Sequence, residues 1–308
     1  MQLKGKSKLS RVKDENKLLN FIKNIKISHI AFILPALILN LIFFMYPLIR
    51  VVFMSFHKWP VLGRKIFLGL QNYLELLYDP IFWSALGFTF EYTLMVTPPM
   101  FIIAFFLALL VKNRLPGTVI FRSIYFLPVV ISMVSCSLVW LWIYNDLYGI
   151  LNYYLMQFGI IENSIIWMGQ PDTSLPAISF MIVWKMTGFT MVILLAGLQG
   201  ISDKLYEAAR MDGANFWQKI RYITLPMLKP TIGLALVISV IGSVLAFSQF
   251  VVMTKGGPAN STTTIVYWIY KTSFKFFKLG YGAAMTVVLL MIQSCLSWLQ
   301  IKFTSAEY

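Results

Sequence analysis

The chain has 308 residues, of which 58% are hydrophobic and only 12% charged, about half the charged share of an ordinary soluble domain. Its 26 Lys and Arg outnumber 12 Asp and Glu, giving a net charge of +14. These cations lie between apolar runs rather than in a patch interleaved with aromatics, which excludes a nucleic-acid-binding module and fits a bilayer flanked by basic loops. Cys136 and Cys295 each stand alone in an apolar run without CxxC spacing, so they predict packed side chains and neither a disulfide nor a metal site.

Residues 1–28 carry eight Lys or Arg against Asp14 and Glu15. Leu18, Phe21, Ile22 and Ile25 form an apolar stripe among lysines, the pattern of a short helix lying on the inner membrane face. The apolar stretch that follows is too long for a secretory h-region and has no small-x-small site after it, so it reads as a membrane anchor rather than a cleaved leader. His29 and His57, near its two ends, are read as interfacial. Six apolar runs are long enough to cross a hydrocarbon core of ~30 Å as helices: 29–54, 88–111, 120–144, 175–199, 230–253 and 281–302. They are continuous and lack the alternation of barrel strands. Alternating the loops from a cytoplasmic start places 17 basic residues inside and 7 outside, which predicts both termini in the cytoplasm. The expected organisation is a basic tail (1–28), one all-α, six-helix polytopic domain (29–304) and a cytoplasmic end (305–308).

In the second run Pro98-Pro99 predicts a kink. In the fourth, Lys185 has two readings: it snorkels to the outer interface, or it stands with Trp184 on a solute pathway. Ser248 and Gln249 in the fifth run are further pathway candidates. The longest inside loop, 200–230, lies between the fourth and fifth runs. Ser202 is placed to cap a first short helix, with Asp203 at its positive end. Asp212-Gly213 reads as a stop, since glycine takes the left-handed conformation needed there. Asn215 can cap a second helix whose Phe216, Ile220 and Ile223 share one face. Pro226 and Pro230 are expected to separate that helix from the fifth span. The result is a rigid pair of helices under the membrane.

Glu207-Ala208-Ala209, three residues, Gly213, nine residues, Ile223, one residue and Leu225-Pro226 resemble the EAA loop of the permease subunits of binding-protein-dependent ABC importers. The likeness extends over nearly the whole chain, through Gly69–Leu86, Phe121–Pro128, Tyr148–Leu155, Ala196–Ile201 and Val252–Thr262, and points to the sugar and glycerol-3-phosphate branch. It implies the type I ABC permease fold and a loop that docks on a separate cytoplasmic ATPase. Glu207 would pair with a basic residue of that ATPase, Gly213 would set the turn, and Ala208, Ala209, Asp212 and Ala214 would complete the contact. It also implies a second homologous permease, two ATPase copies carrying ATP and Mg, and an extracytoplasmic solute-binding protein, all at a bacterial or archaeal plasma membrane.

For Gly256-Gly257-Pro258 the resemblance implies an outer loop facing the binding protein, beside the plain reading as a tight turn. No GxxxxGK[ST] phosphate loop occurs, so ATP hydrolysis is assigned to another polypeptide and the chain itself to no cofactor. The expected function is therefore that of a non-enzymatic permease for a sugar or oligosaccharide, with glycerol-3-phosphate or a polyol phosphate as the alternative solute. A membrane-embedded transferase is disfavoured because the outer-loop acids are scattered. An ion-coupled secondary transporter is disfavoured because the spans lack carboxylates apart from Glu91 at a rim.

Overall fold

A computed structural model describes residues 27–112 and 117–304, with side chains from Phe32 onward. The tail stripe of residues 18–25 and the end at 305–308 lie outside the described residues. The chain divides into two units, Met1–Met54 and Ser55–Tyr308. In the first, α1 (Ile27–Asn40) runs through a π-helical turn (Leu41–Met45) into α2 (Tyr46–Ser55), whose last residue belongs to the second unit. The π turn closes on Tyr46 N–H to Leu41 O, just ahead of Pro47. Proline cannot donate to the fourth carbonyl back and its ring crowds it, so a wider turn relieves the helix there.

The second unit opens with a two-stranded antiparallel ribbon, β1 (His57–Lys58) against β2 (Ile66–Phe67), in which His57 pairs with Phe67. Then follow α3 (Gln71–Leu77) and α4 (Pro80–Lys112), a 33-residue helix that passes through Pro98-Pro99 without ending and starts eight residues earlier than the apolar run predicted. The third predicted span is not one helix. It is α5 (Thr118–Val130) and α6 (Met133–Ile143), bent by 95° at Ile131-Ser132. Both junction residues are extended, and the Ser132 hydroxyl caps α6 by accepting from Ser135 N–H. The short α7 (Ile150–Gln157) leads to α8 (Pro171–Gln199).

Beyond α8 come α9 (Asp203–Met211), α10 (Phe216–Lys219), a π turn (Ile220–Thr224) and α11 (Leu225–Val244). Pro226 and Pro230 do not detach the loop helix from the span as expected. The π turn again precedes a proline, Pro226, and the helix continues, so one apolar helical stretch covers Phe216–Met253. Its last part, α12 (Ser248–Met253), follows a break at residues 245–247. The chain closes with α13 (Ile265–Tyr270), a π turn (Lys271–Lys275) and α14 (Leu279–Thr304). The described residues thus hold five helices long and apolar enough to cross a membrane, and six crossings if the bent pair counts as one.

The core of this unit is the contact of α4 with α8, onto which α5 and α11 pack, while α6 packs on α12 and α14 on α11. One buried cluster joins Tyr92, Val96, Met100, Cys136, Ile178, Met181 and Phe250. Another, at the opposite end of α4, joins Ala104, Ala108, Val111, Leu194, Leu198 and Leu228. Gly188 lets α5 reach α8: a Cβ there would stand 1.9 Å from the Tyr125 carbonyl oxygen. Cys136 is packed as predicted, whereas Cys295 is exposed on α14.

Candidate functional site

The loop between α8 and α11 is held by short-range hydrogen bonds. Asp203 occupies the first turn of α9, but the Ser202 hydroxyl makes no capping bond, contrary to the sequence reading. At the far end Gly213 sits at φ +78°, Gly213 N–H donates to Arg210 O at 3.1 Å and Ala214 N–H to Ala209 O at 2.8 Å. This paired closure is a Schellman turn, and it gives a physical reason for the fixed interval from Ala209 to Gly213 and Ala214. Asn215 then forms a capping box: its Oδ1 accepts from Gln218 N–H at 2.9 Å, and its N–H donates to Gln218 Oε1 at 2.7 Å.

Tyr206 of α9 and Thr224 of the π turn hydrogen-bond at 3.0 Å, and the Lys112 ammonium lies 3.9 Å from the centre of the Tyr206 ring. Ile201 and Ile220 are buried, and Ile201 and Ile223 pack into the cluster at the ends of α4 and α8. Phe216 does not complete the predicted apolar face; it is exposed, as are Trp217 and Tyr222. Glu207, Ala208, Asp212 and Gly213 are exposed, Ala209 and Ala214 half-buried, and Met211 is 90% exposed. Glu207 makes no ion pair with a described residue. Ala209, Asp212, Gly213, Ala214, Gln218 and Tyr222 line a shallow hollow.

A second feature is a cavity of about 150 Å³ between α4, α8 and α11, floored by Met133 and Gln249 in the first turns of α6 and α12. Each of the two helix breaks thus lies within a few residues of its lining. Its polar groups are Tyr92, Thr190, Ser239, Ser243 and Gln249, set among Val96, Met100, Ile182, Met186 and Phe189. Gln249 Nε2 donates to Tyr92 Oη at 3.1 Å. Of the four pathway candidates only Gln249 lines this cavity. Ser248 is half-buried away from it, and Trp184 packs against Trp140 with ring centres 5.5 Å apart.

Lys185 neither snorkels nor faces the cavity. It is 3% exposed, and its ammonium donates to the carbonyls of Pro128 at 2.9 Å, Val129 at 3.3 Å and Ile131. These are the carbonyls that a helix end leaves without intrahelical partners, so Lys185 caps α5 at the break. Sequence reasoning missed Tyr92, Thr190, Ser239 and Ser243. The one available signal was the small, polar interval of Ser239, Gly242 and Ser243 on one side of the fifth run.

The Gly256-Gly257-Pro258 segment is a tight turn with a cis Gly257–Pro258 peptide. It is tied down by threonines: Thr262 Oγ1 donates to Gly257 O at 2.7 Å and Thr264 Oγ1 to Ala246 O at 2.8 Å. Lys271 Nζ donates to Asn260 Oδ1 at 2.7 Å. Burial, reinforced by Lys275, holds that ammonium below the usual lysine range.

Comparison with known proteins adds to this geometry. Residues 80–303 match a family described as "Binding-protein-dependent transport system inner membrane component". The lactose transport system permease protein LacF of Rhizobium radiobacter is 35% identical over 87% of this chain and 91% of its own length. The trehalose/maltose transport system permease protein MalF of Thermococcus litoralis is 33% identical over 86% and 89%. In fold, the chain resembles one in the crystal structure of a bacterial ABC transporter involved in the import of the acidic polysaccharide alginate. The TM-score is 0.79 with 24% identity, over 94% of this chain and 98% of that one.

Proposed function

The chain belongs to the family of binding-protein-dependent transport system inner membrane components, and from that premise we propose that it forms half of the pathway of an ATP-driven importer for a sugar or oligosaccharide. The carrying observation is the loop at 200–230: exposed, stiffened at both helix ends, and presenting Glu207 without a described ion-pair partner. It docks on a cytoplasmic ATPase through Glu207, Ala208, Ala209, Asp212, Gly213 and Ala214. ATP and Mg are held by two copies of that ATPase, a second permease completes the pathway, and a solute-binding protein delivers from outside through surfaces that include Gly256-Gly257-Pro258. The excess of basic residues in alternate loops supports a cytoplasmic loop and cytoplasmic termini.

The helical path from the loop to the cavity supports the coupling. From Phe216 to Ser243 the backbone is helical throughout, with the π turn inside it, a reach of roughly 40 Å at 1.5 Å per residue. Closure of the ATPase subunits against α9 and α10 therefore displaces α11 as a body, and with it the wall carrying Ser239 and Ser243. Solute class follows from the lining. Hydroxyl and amide groups among apolar side chains suit a neutral polyol, while a phosphate ester calls for a cationic partner. No Lys or Arg lines the cavity among the described residues, and Lys185 is engaged by carbonyls. The lactose and trehalose/maltose named for the two relatives are neutral sugars.

The test is uptake by the reconstituted complex, using a solute found by thermal-shift screening of the cognate binding protein. Glu207→Lys should abolish uptake and solute-stimulated ATPase activity and weaken co-purification of the ATPase, with the permease still folded. Intact uptake in that variant would overturn the coupling role of Glu207, and a screen answered only by phosphate esters would overturn the sugar reading.

A further inference from the structure

The stripe of α8 that lines the cavity does not end with it. Residues spaced three and four apart share one side of a helix, and Leu175, Ser179, Ile182, Met186, Thr190 and Ile193 form such a series. From Ile182 to Ile193 the series lines the cavity. Toward the helix end remote from the 200–230 loop, Leu175 and Ser179 continue it into packed protein, where they are 6% and 3% exposed. Ser179 Oγ is sealed there with no hydrogen-bond partner among the described residues. Other hydroxyls of α8 close onto the carbonyl four residues back, Ser174 onto Gln170 and Thr187 onto Val183. A buried hydroxyl without a partner disfavours the conformation that seals it, by about tenfold or more against one that wets it.

What closes that section is apolar. Phe250 of α12 is fully buried, with its ring centre 5.3 Å from that of Phe88 and 5.0 Å from that of Tyr92, and it belongs to one cluster with Leu175 and Ile182. Among the described residues, one side-chain hydrogen bond ties α12 to another spanning helix, from Gln249 Nε2 to Tyr92 Oη. Apolar contacts can part and re-form without stranding polar groups. The break at residues 245–247 separates α12 from α11, so α12 can part from α8 while α11 keeps its shape.

We propose that α12, with Phe250 as its plug, is the gate on the side of the membrane away from the ATPase, and that its opening extends the cavity along α8 past Ser179. The Ser179 hydroxyl then meets water and passing solute, and its lack of a partner in the closed state keeps that state from being too deep. This inference rests on the importer reading and deepens it, by naming the segment that admits solute to the cavity. It holds whichever solute is carried.

The test reads accessibility in the reconstituted complex with its partner permease, ATPase and binding protein. In a Cys136→Ala, Cys295→Ala background, Ser179→Cys should resist a charged, membrane-impermeant methanethiosulfonate at rest. It should react about tenfold faster or more when ATP and vanadate hold the ATPase subunits closed. Met181→Cys, fully buried on the opposite side of α8, should stay unreactive in both states. Ser179→Ala removes the open hydroxyl with little volume, so it should raise the melting temperature of the resting complex and lower uptake by about three- to tenfold. Equal reactivity of Ser179→Cys in the two states, or a state dependence shared by Met181→Cys, would overturn the gate. So would a lower melting temperature in Ser179→Ala, which would mean that the hydroxyl is partnered when closed. An unmodified complex without solute-stimulated ATPase activity would fail the importer reading instead, whereas an active complex with an unreactive Ser179→Cys would fail this gate alone.

Discussion

The loop at 200–230 and the cavity beneath the helix breaks are built by opposite means. The loop's helix ends are closed by bonds between residues three to five apart, the Schellman turn over Ala209–Ala214 and the capping box of Asn215 and Gln218, with the Tyr206–Thr224 bond added across them. The cavity is made by side chains from α4, α6, α8, α11 and α12, whose partners stand as far apart as Tyr92 and Gln249. A locally built part keeps its shape while its surroundings move, which suits transmission of a rigid-body displacement. A part assembled from several helices changes shape when they shift, as a compartment that must open to alternate sides has to. Rigidity at one end and composite walls at the other make a single helical path between them mechanically useful.

The largest expected effect tests the frame that carries both regions. Lys185→Met leaves the carbonyls of Pro128, Val129 and Ile131 without their shared donor, the first of them buried, and should destabilise the protein by about 2–3 kcal/mol, read as a lower melting temperature in detergent. Solute preference should not change, because Lys185 does not line the cavity. A shifted preference with unchanged melting would move Lys185 from scaffold to pathway.

Next in size is Gly213→Val. A β-branched residue at φ +78° carries strain of about 1–3 kcal/mol, so the turn should be lost in much of the population and uptake should fall by about tenfold or more. Gly213→Asn should retain most of the activity, since asparagine tolerates the left-handed region and no atom lies within 4 Å of the added Cβ. Equal damage by both variants would show that surface contact, not backbone conformation, is what this position supplies.

The same contrast governs what could be read from the sequence. The spans were legible because hydropathy over about twenty residues is a strong signal. The loop was legible because Asn215, Gly213 and the residues around them act on neighbours a few positions away. Their spacing is the mechanism itself. The 95° bend at Ile131-Ser132 was not legible, because hydropathy is blind to helix direction and the lysine that stabilises the bend lies more than fifty residues away. The continuity of α10 into α11 was misread because proline was taken as a stop, when a preceding π turn accommodates it. Tyr92 gave no sign of sharing a cavity with Ser243, since hydropathy along one run does not say which residue of another run faces it.

The smallest expected effect is the sharpest test of the division of labour. Gln249→Leu removes the amide that donates to Tyr92 Oη and leaves that hydroxyl in the cavity with one partner fewer. Leucine is close in volume, so the melting temperature should move little, while the loss of a group lining the cavity should change the half-saturating solute concentration by about three- to tenfold. The ratio of ATP hydrolysed to solute imported should stay at the unmodified value, because Gln249 lies beyond the break that ends α11 and outside the helical path from the loop. Gly213→Val should do the reverse, lowering coupling without altering concentration dependence. A Gln249→Leu protein that wastes ATP while keeping its concentration dependence would mean that α12 belongs to the moving lever, and that the break at residues 245–247 transmits rather than isolates.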